Sequence, residues 1–538
     1  MAVSRRSFLT GSAASIAAFP FAEIVRPEDV AAAEQAARQV APVFRHGVAS
    51  GDPRHDRVLL WTRVSGGSGE VAVRWTLASN AAMTRVVARG ETRTGAARDF
   101  TVKVDATGLA PATTYYYRFE ALGGRSAIGR TRTLPAIGAT RVRMGLVSCS
   151  NYPYGYFNAY ARLAERTDVD LVLHVGDYIY DYHQGRYADP DLAKERPVDP
   201  PTEILVLADY RKRYALYRTD PDLQAVHQQH PFVCVWDDHE IANNAWKGGA
   251  ENHQPNEGDY YVRRDAAFQA YMEWLPVRET GSARQPNLYR SFALGDLADL
   301  VMIDTRLVGR DEQVDRANIL GVEDPRRSIL GPAQEGWLEG ELVESVRAGA
   351  RWQILGQQVM FAPQAPAGQA STNADSWDGY RVSRSRVFDM VERHKVQNFV
   401  VLTGDVHSSW AYDLPRGLTD AYDPVSGRTS LGVEIVCPAV SSPVPFTPAN
   451  AVERVAAITK SRPHMKFMDG LSRGYVVLDV TRDRLQADWW LLDTVKQRAP
   501  GQRFAKGLVS QAGSRHLVDA GAPMAAITGP DPAPALRD

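Results

Sequence analysis

Five apolar runs in this 538-residue chain end in side chains that bind metals or move protons. MGLVSCS closes at Cys149, LVLHVGDYIY carries Asp177 and Tyr180, FVCVWDDHE carries Asp238 and His239, LVMIDTR carries Asp304, and FVVLTGDVH carries Asp405 and His407. Carboxylate and phenol oxygens, imidazole and one thiolate make a mixed donor set. Such a set suits a transition metal beside harder, oxygen-loving cations better than a structural zinc. Singly, each Asp has an ordinary explanation as a turn former or helix N-cap. Together, GD at two strand ends, DDHE at a third and SCS at a fourth point to one convergent site. Asp304 stands apart as a strand-end turn residue beside Arg306.

The elements that must bring these residues together are legible as strands and helices in alternation. In an open sheet covered by helices, the carboxyl ends of neighbouring strands meet at one crevice. From Arg141 onward, strand-like runs alternate with helical stretches at Phe157 to Leu163, after Asp220, at Asp265 to Trp274, Pro332 to Val346 and Ser383 to Arg393. The Pro- and Asp-rich stretch from Gln184 to Ala208 reads as an insertion over the site. Residues 43–135 alternate instead like short strands separated by turn residues. LAPATTYYYRFEA gives this first domain the look of a fibronectin-like β-sandwich, ending near Leu134 and Pro135 before the linker-like TLPAIGAT.

Composition narrows the function class. At 538 residues the chain exceeds one hydrophobic core. With 44% apolar and 23% charged residues it has ordinary globular usage. A net charge of −1 without long like-charge runs argues against a nucleic-acid or anionic-membrane surface. Ser4 to Thr10 is a twin-arginine pattern, followed by a weakly apolar run and Ala31-Ala32-Ala33 as a cleavage site. That run is interrupted by Pro20 and Glu23 and falls short of the ~20 apolar residues of a stable span. Residues 1–33 are therefore expected to be a removable signal read by the twin-arginine export machinery, taking the protein to the periplasm or outside the cell. Cys234 and Cys437 lie in apolar runs and read as buried small hydrophobes. Cys149, between two serines past its strand, reads as a thiolate ligand, with a Cys149–Cys437 disulfide as the alternative.

The combined motifs resemble those of the PhoD family of alkaline phosphatases and phosphodiesterases, a branch of the calcineurin-like metallophosphoesterases. GVASGDP and VLLWTR resemble the start of that family's N-terminal domain. SCSNYPYGYFNAY, HVGDYIYDY, WDDHEIANNAW, ILGQQVM and LTGDVHSSW follow in the order of its catalytic domain. The resemblance implies a mixed α+β and α/β chain. An N-terminal β-sandwich would precede a four-layer αββα catalytic domain over residues 141–510, with 511–538 as a C-terminal tail.

It also implies roles. Asp177 would be a bridging carboxylate, with Cys149, Tyr180 and His407 completing a ferric iron site. Asp405 and Asp238 would bind neighbouring cations, and His239 would act as general acid or phosphate contact. Asp237, Asn243 and Asn244 are further candidates whose oxygens suit calcium, or which cap the next helix. Fe3+ and Ca2+ are the implied ions, with Zn2+ or Mn2+ as alternatives. The expected activity is hydrolysis of phosphate monoesters or diesters by a metal-activated hydroxide, for phosphate acquisition. Two alternatives are a phospholipase D-like phosphodiesterase on the same scaffold and a non-catalytic secreted protein that binds a surface polymer.

Overall fold

The computed structural model describes residues 42–534, apart from 280, 283, 284, 316, 419 and 420. The export signal expected in residues 1–33 lies outside them. Two mixed sheets dominate. The first has ten strands, centred on three parallel ones, Arg141–Val147, Leu171–His174 and Pro231–Cys234. The last two are wholly buried along their length and the first all but its Arg141, as expected where both faces of a parallel sheet are covered. Gly474–Thr481, Arg484–Leu492, Gln502–Gln511 and Leu517–Asp519 extend it antiparallel on one side. The second sheet has seven strands, with Ala298–Met302, Trp352–Gly356, Phe399–Thr403 and Ser430–Val436 running parallel.

Side-chain alternation sorts the second sheet's two faces. Leu300, Ile354, Val400 and Leu402 join the core that contains Met144, Leu146 and Val172 of the first sheet. Their neighbours Val301, Leu355 and Val401 face Leu338, Leu342, Val387 and Phe388 of helices Gly331–Arg347 and Arg381–Arg393. A period of two sends successive side chains to opposite faces, so one strand serves two cores. Helices Asn158–Ala164 and Pro221–Gln229 pack on the first sheet and on each other. Asp220 caps the second of these by accepting from Asp222 N and Leu223 N, with Pro221 at the first helical position. The helices expected after Asp220, at 265–274, 332–346 and 383–393 form as Pro221–Gln229, Tyr260–Trp274, Gly331–Arg347 and Arg381–Arg393.

The N-terminal region has its own apolar cluster, including Val58, Leu60, Val73, Tyr117 and Phe119. Its five-stranded sheet is built on Val71–Ala78, Val86–Thr94 and Thr114–Ala121. Three further strands, Val48–Gly51, Arg57–Arg63 and Thr101–Thr107, continue the ten-stranded sheet, with Ser50 opposite Pro231. Alternation again divides them: Val48 and Leu60 face the N-terminal cluster, Ala49 and Trp61 the main core. The indole of Trp61 donates to Glu273 O at 2.8 Å. Residues 511–538, expected as a tail, take in the end of strand Gln502–Gln511 and the whole of strand Leu517–Asp519. Beyond it, Met524 N donates to Asp488, and Ala533 N to Gln229. Among the described residues no helix is long and apolar enough to cross a membrane.

Candidate metal centre and active site

The site forms where the strand ends of both sheets meet, and its backbone is strained. Cys149, Asp177, Asp405 and His407 all adopt left-handed conformations, with φ of 61°, 56°, 62° and 54°. Residues other than glycine hold such angles only where surrounding structure enforces them, a situation concentrated at functional sites. Here the loops lace together: Cys149 N donates to Gly176 O at 3.1 Å, and Ser150 N to Asp177 O at 2.9 Å. Gly176 is required. At its φ of 110° a Cβ would lie 2.3 Å from Cβ of Asp237.

Three donor groups follow from these turns: Cys149, Asp177 and His407; Asp177, Asp238 and His239; and Asp237, Asp238 and Asp405. Within each group the ligand atoms lie within 4.8 Å of one another. Asp177 belongs to the first two and Asp238 to the last two, so the groups form one continuous cluster. Tyr180 Oη joins it, 3.0 Å from Asp177 Oδ2, 3.1 Å from His407 Nε2 and 2.6 Å from Ser442 Oγ. Asp177 Oδ1, Asp237 Oδ2 and Asp238 Oδ1 are buried without a hydrogen-bond partner. Buried carboxylate oxygens are costly unless a cation or donor meets them. The donor set and these three oxygens fit bound cations.

Electrostatics points the same way. Burial, then the neighbouring Asp177 carboxylate, pushes both the Cys149 thiol and the Tyr180 phenol well above their usual ranges. Neither group ionises there without a strong adjacent positive charge, and a coordinated metal supplies one. Asp405 is pushed up to about 8, mainly by burial, against the opposing pull of Arg306.

Not every expected residue points into the cluster. The side-chain amides of Asn243 and Asn244 both donate to Glu251, while Asn244 N donates to Asp238 Oδ2 at 2.7 Å. Asp304 Oδ1 accepts from Arg306 N and Leu307 N, the turn role expected of it. All three cysteines are free, so no disulfide joins Cys149 to Cys437. Cys437 Sγ lies instead 3.3 Å from Ser148 Oγ.

Four participants escape sequence reasoning. Arg306, fully buried, reaches Asp237 through Nε, both oxygens of Asp375 at 2.9 Å, Asp405 at 3.3 Å and Asp238 at 3.7 Å. Asp375 also accepts from Arg310 and Gln313. Asp181 accepts from His239 Nδ1 at 2.6 Å and from Asn252 Nδ2 at 2.6 Å. That hydrogen bond fixes the imidazole, whose ring packs on Tyr180 at a centroid distance of 4.3 Å. Burial disfavours the charged imidazole, but Asp238, Asp177 and Asp181 outweigh it and raise its pKa well above the ordinary value. Tyr187, from the 184–208 insertion, sets its Oη 3.1 Å from His407 Nδ1. The DYIYDY repeat signals Asp181, the LVMIDTR run carries Arg306 as a neighbour of Asp304, and the 184–208 insertion carries Tyr187, but nothing local marks Asp375.

Comparison with known proteins decides the family. The PhoD-like phosphatase profile matches residues 144–489, and that of the PhoD-like phosphatase N-terminal domain matches 29–135. The chain belongs to the PhoD-like phosphatase family. It is 36% identical over 475 residues to alkaline phosphatase D of Bacillus subtilis (strain 168), covering 84% of this chain and 78% of that one. A solved structure of PhoD superposes with a TM-score of 0.81 at 34% identity, covering 90% of this chain and 93% of the other. As a PhoD-like phosphatase the protein is a phosphoric ester hydrolase. The PhoD-like match from 144 to 489 contains every residue of the cluster from Cys149 to Ser442.

Proposed function

We propose that this PhoD-like phosphatase is an exported, metal-dependent enzyme that hydrolyses phosphate monoesters, diesters or both, for phosphate acquisition. One observation carries the metal dependence: the three donor groups share Asp177 and Asp238, as ligands bridging adjacent cations would. Cys149, Asp177, Tyr180 and His407 would hold ferric iron, since anionic thiolate, phenolate and carboxylate are strongly electron-donating ligands that suit a trivalent transition ion. Asp238 and Asp405, with Asp237 beside them, would hold calcium, whose irregular oxygen coordination they suit. Zinc or manganese are the alternative occupants. When bound, such cations lower the pKa of water and neutralise phosphoryl charge.

The protein's own groups do the rest. Arg306 holds Asp237, Asp238, Asp375 and Asp405 in one arrangement despite their mutual repulsion. Asp181 fixes the His239 tautomer through Nδ1, leaving Nε2 to donate a proton to the leaving oxygen. Tyr187 covers His407 and limits water there. In the architecture we read an αββα layering of the two large sheets. The five-stranded sheet on the N-terminal extension we read as a fibronectin-like sandwich. Export rests on the twin-arginine pattern at Ser4 to Thr10.

Asp177→Ala tests the reading. The variant is expected to lose both iron and calcium by elemental analysis, and turnover of 4-nitrophenyl phosphate and bis(4-nitrophenyl) phosphate with them. Unchanged metal content and turnover would refute it.

A further inference from the structure

A cleft of about 630 Å³ opens directly beside the cluster, with Asp405, His407 and Tyr187 at its inner end. Its size falls in the range of small-molecule sites. Away from the cluster one wall is apolar, made by Met360, Trp410, Val444, Phe446 and Ile458, while Thr372, Asn373 and Ser376 also line the cleft. Met360, Trp410 and Phe446 are almost buried in the fold, so this wall is part of the packed protein.

Polar atoms near that wall are spent internally. The Trp410 indole donates to Ser408 Oγ at 2.8 Å, whose own hydroxyl donates to Val406 O. Gln364 Nε2 donates to Ala362 O, and its Oε1 accepts from Tyr412. Arg462, the one cation among the lining residues, donates through Nε to Gln364 O at 3.3 Å. Against the apolar wall a sugar or polyol would lose hydration and gain few partners, whereas alkyl or aryl surface would be buried favourably.

We propose that this cleft is the subsite for one ester substituent and selects phosphoesters carrying an extended apolar alkyl or aryl group. The inference rests on the phosphoesterase reading above, because the phosphorus must sit at the cluster for its substituent to reach the cleft. Trp410, Phe446 and Ile458 are its specificity-determining residues.

Two matched substrate pairs test it with the metal-loaded enzyme: octyl against methyl phosphate, and octyl against methyl 4-nitrophenyl phosphate, each below micelle-forming concentration. Each buried methylene is worth up to about fourfold. The octyl ester is therefore expected to win in kcat/KM by at least about tenfold in the hydrolysed pair. Phe446→Ala and Ile458→Ser should each reduce that ratio by about threefold or more. Ile458 lies on helix Pro448–Ser461, whose one fully buried residue is Ala451, so its variant remains informative if Phe446→Ala does not fold.

Equal kcat/KM for octyl and methyl esters in the native enzyme would overturn the proposal, as would an octyl preference surviving both substitutions. So would a preference for 2-phosphoethyl 4-nitrophenyl phosphate over the octyl ester, which would make Arg462 the recognising group. No turnover of any of these esters would refute the phosphoesterase reading itself, a distinguishable result.

Discussion

Tyr180 Oη hydrogen-bonds Asp177 Oδ2 at 3.0 Å, while the other oxygen of Asp177 is buried with no protein partner. The phenol and one carboxylate oxygen are thus held to each other, while the second oxygen carries no protein hydrogen bond. Ser442 Oγ, 2.6 Å from the phenol, donates onward to Cys149 O and ties this pair to the thiol loop.

Tyr180→Phe is expected to keep the fold, because the ring contacts remain, at a cost of about 1–3 kcal/mol for the polar partners left behind. If iron occupies the site as proposed, the visible charge-transfer band should disappear. Absorption spectra of protein with measured iron content check this; an unchanged band would move the assignment to Cys149.

Asp181→Asn removes the carboxylate that holds His239. Turnover of poor leaving groups should fall about 10- to 100-fold, less than the roughly 10²- to 10⁴-fold worth of a general acid because His239 itself remains, with a smaller loss for 4-nitrophenyl esters. Burial opposes the His239 charge and Asp238, Asp177 and Asp181 support it, so loss of one carboxylate lowers the pKa. An acid catalyst must be protonated, and its activity ends as pH rises through that pKa. The alkaline limb of the rate profile should therefore move to lower pH, and a limb that stays in place would rule out His239 as the acid.

Arg306→Met strips the buried guanidinium from four aspartates. Breaking a buried charge network in this way costs about 3–5 kcal/mol. The variant should melt earlier and recover part of the loss in millimolar calcium, which replaces positive charge among the same carboxylates. Thermal melts with and without calcium test this; a variant as stable as the native protein would show the network to be idle.

Much of this arrangement was legible in sequence because its residues end apolar runs. Cys149, Asp177, Asp238, Asp405 and His407 follow buried strands, and periodicity finds strands. Arg306 was visible only as a neighbour of Asp304, and the structure sends its guanidinium elsewhere, to Asp237 and Asp375. Asp375 and Tyr187 sit in loops, where no period marks which side chain turns inward. The N-terminal strands were legible as strands but not in their pairing. Nothing local in Val48–Gly51 says that its partner is Pro231–Cys234, since backbone pairing across such separations depends on the whole fold.

Stability should fall steeply in acid. Burial pushes His46, His174, His230 and His464 down to about 3, and His227 also well below its usual range. For a group whose folded pKa is depressed, stability is present above the unfolded pKa, near 6.5, and drains away as pH falls toward the folded one. Glu240, raised to about 8, and Glu434, raised to about 7, act oppositely between those values and about 4.5. Asp405, raised to about 8, and Asp222, raised to about 6, offset the histidines in the same way above the ordinary carboxylate range. The fall therefore belongs below about pH 4, where the unfolded chain's acids are themselves protonated and no longer offset the histidines; melting temperature measured against pH should drop there, and a flat profile from about pH 4 to 3 would contradict the buried neutral histidines.

Residues 525–534 fasten parts laid down far earlier. Tyr116, in the N-terminal sheet, hydrogen-bonds Asp531 O, while Gln228 and Gln229 at the end of helix Pro221–Gln229 hold Pro534 and Ala533. Arg143 of the central strand also reaches Ala525 O. These contacts add to the pairing of Val48–Gly51 with Pro231–Cys234, which already joins the N-terminal strands to the catalytic sheet. Loss of the segment after residue 520 would therefore loosen the seam between these distant parts before either core, and a chain truncated there should be cut by protease at that seam faster than the full chain.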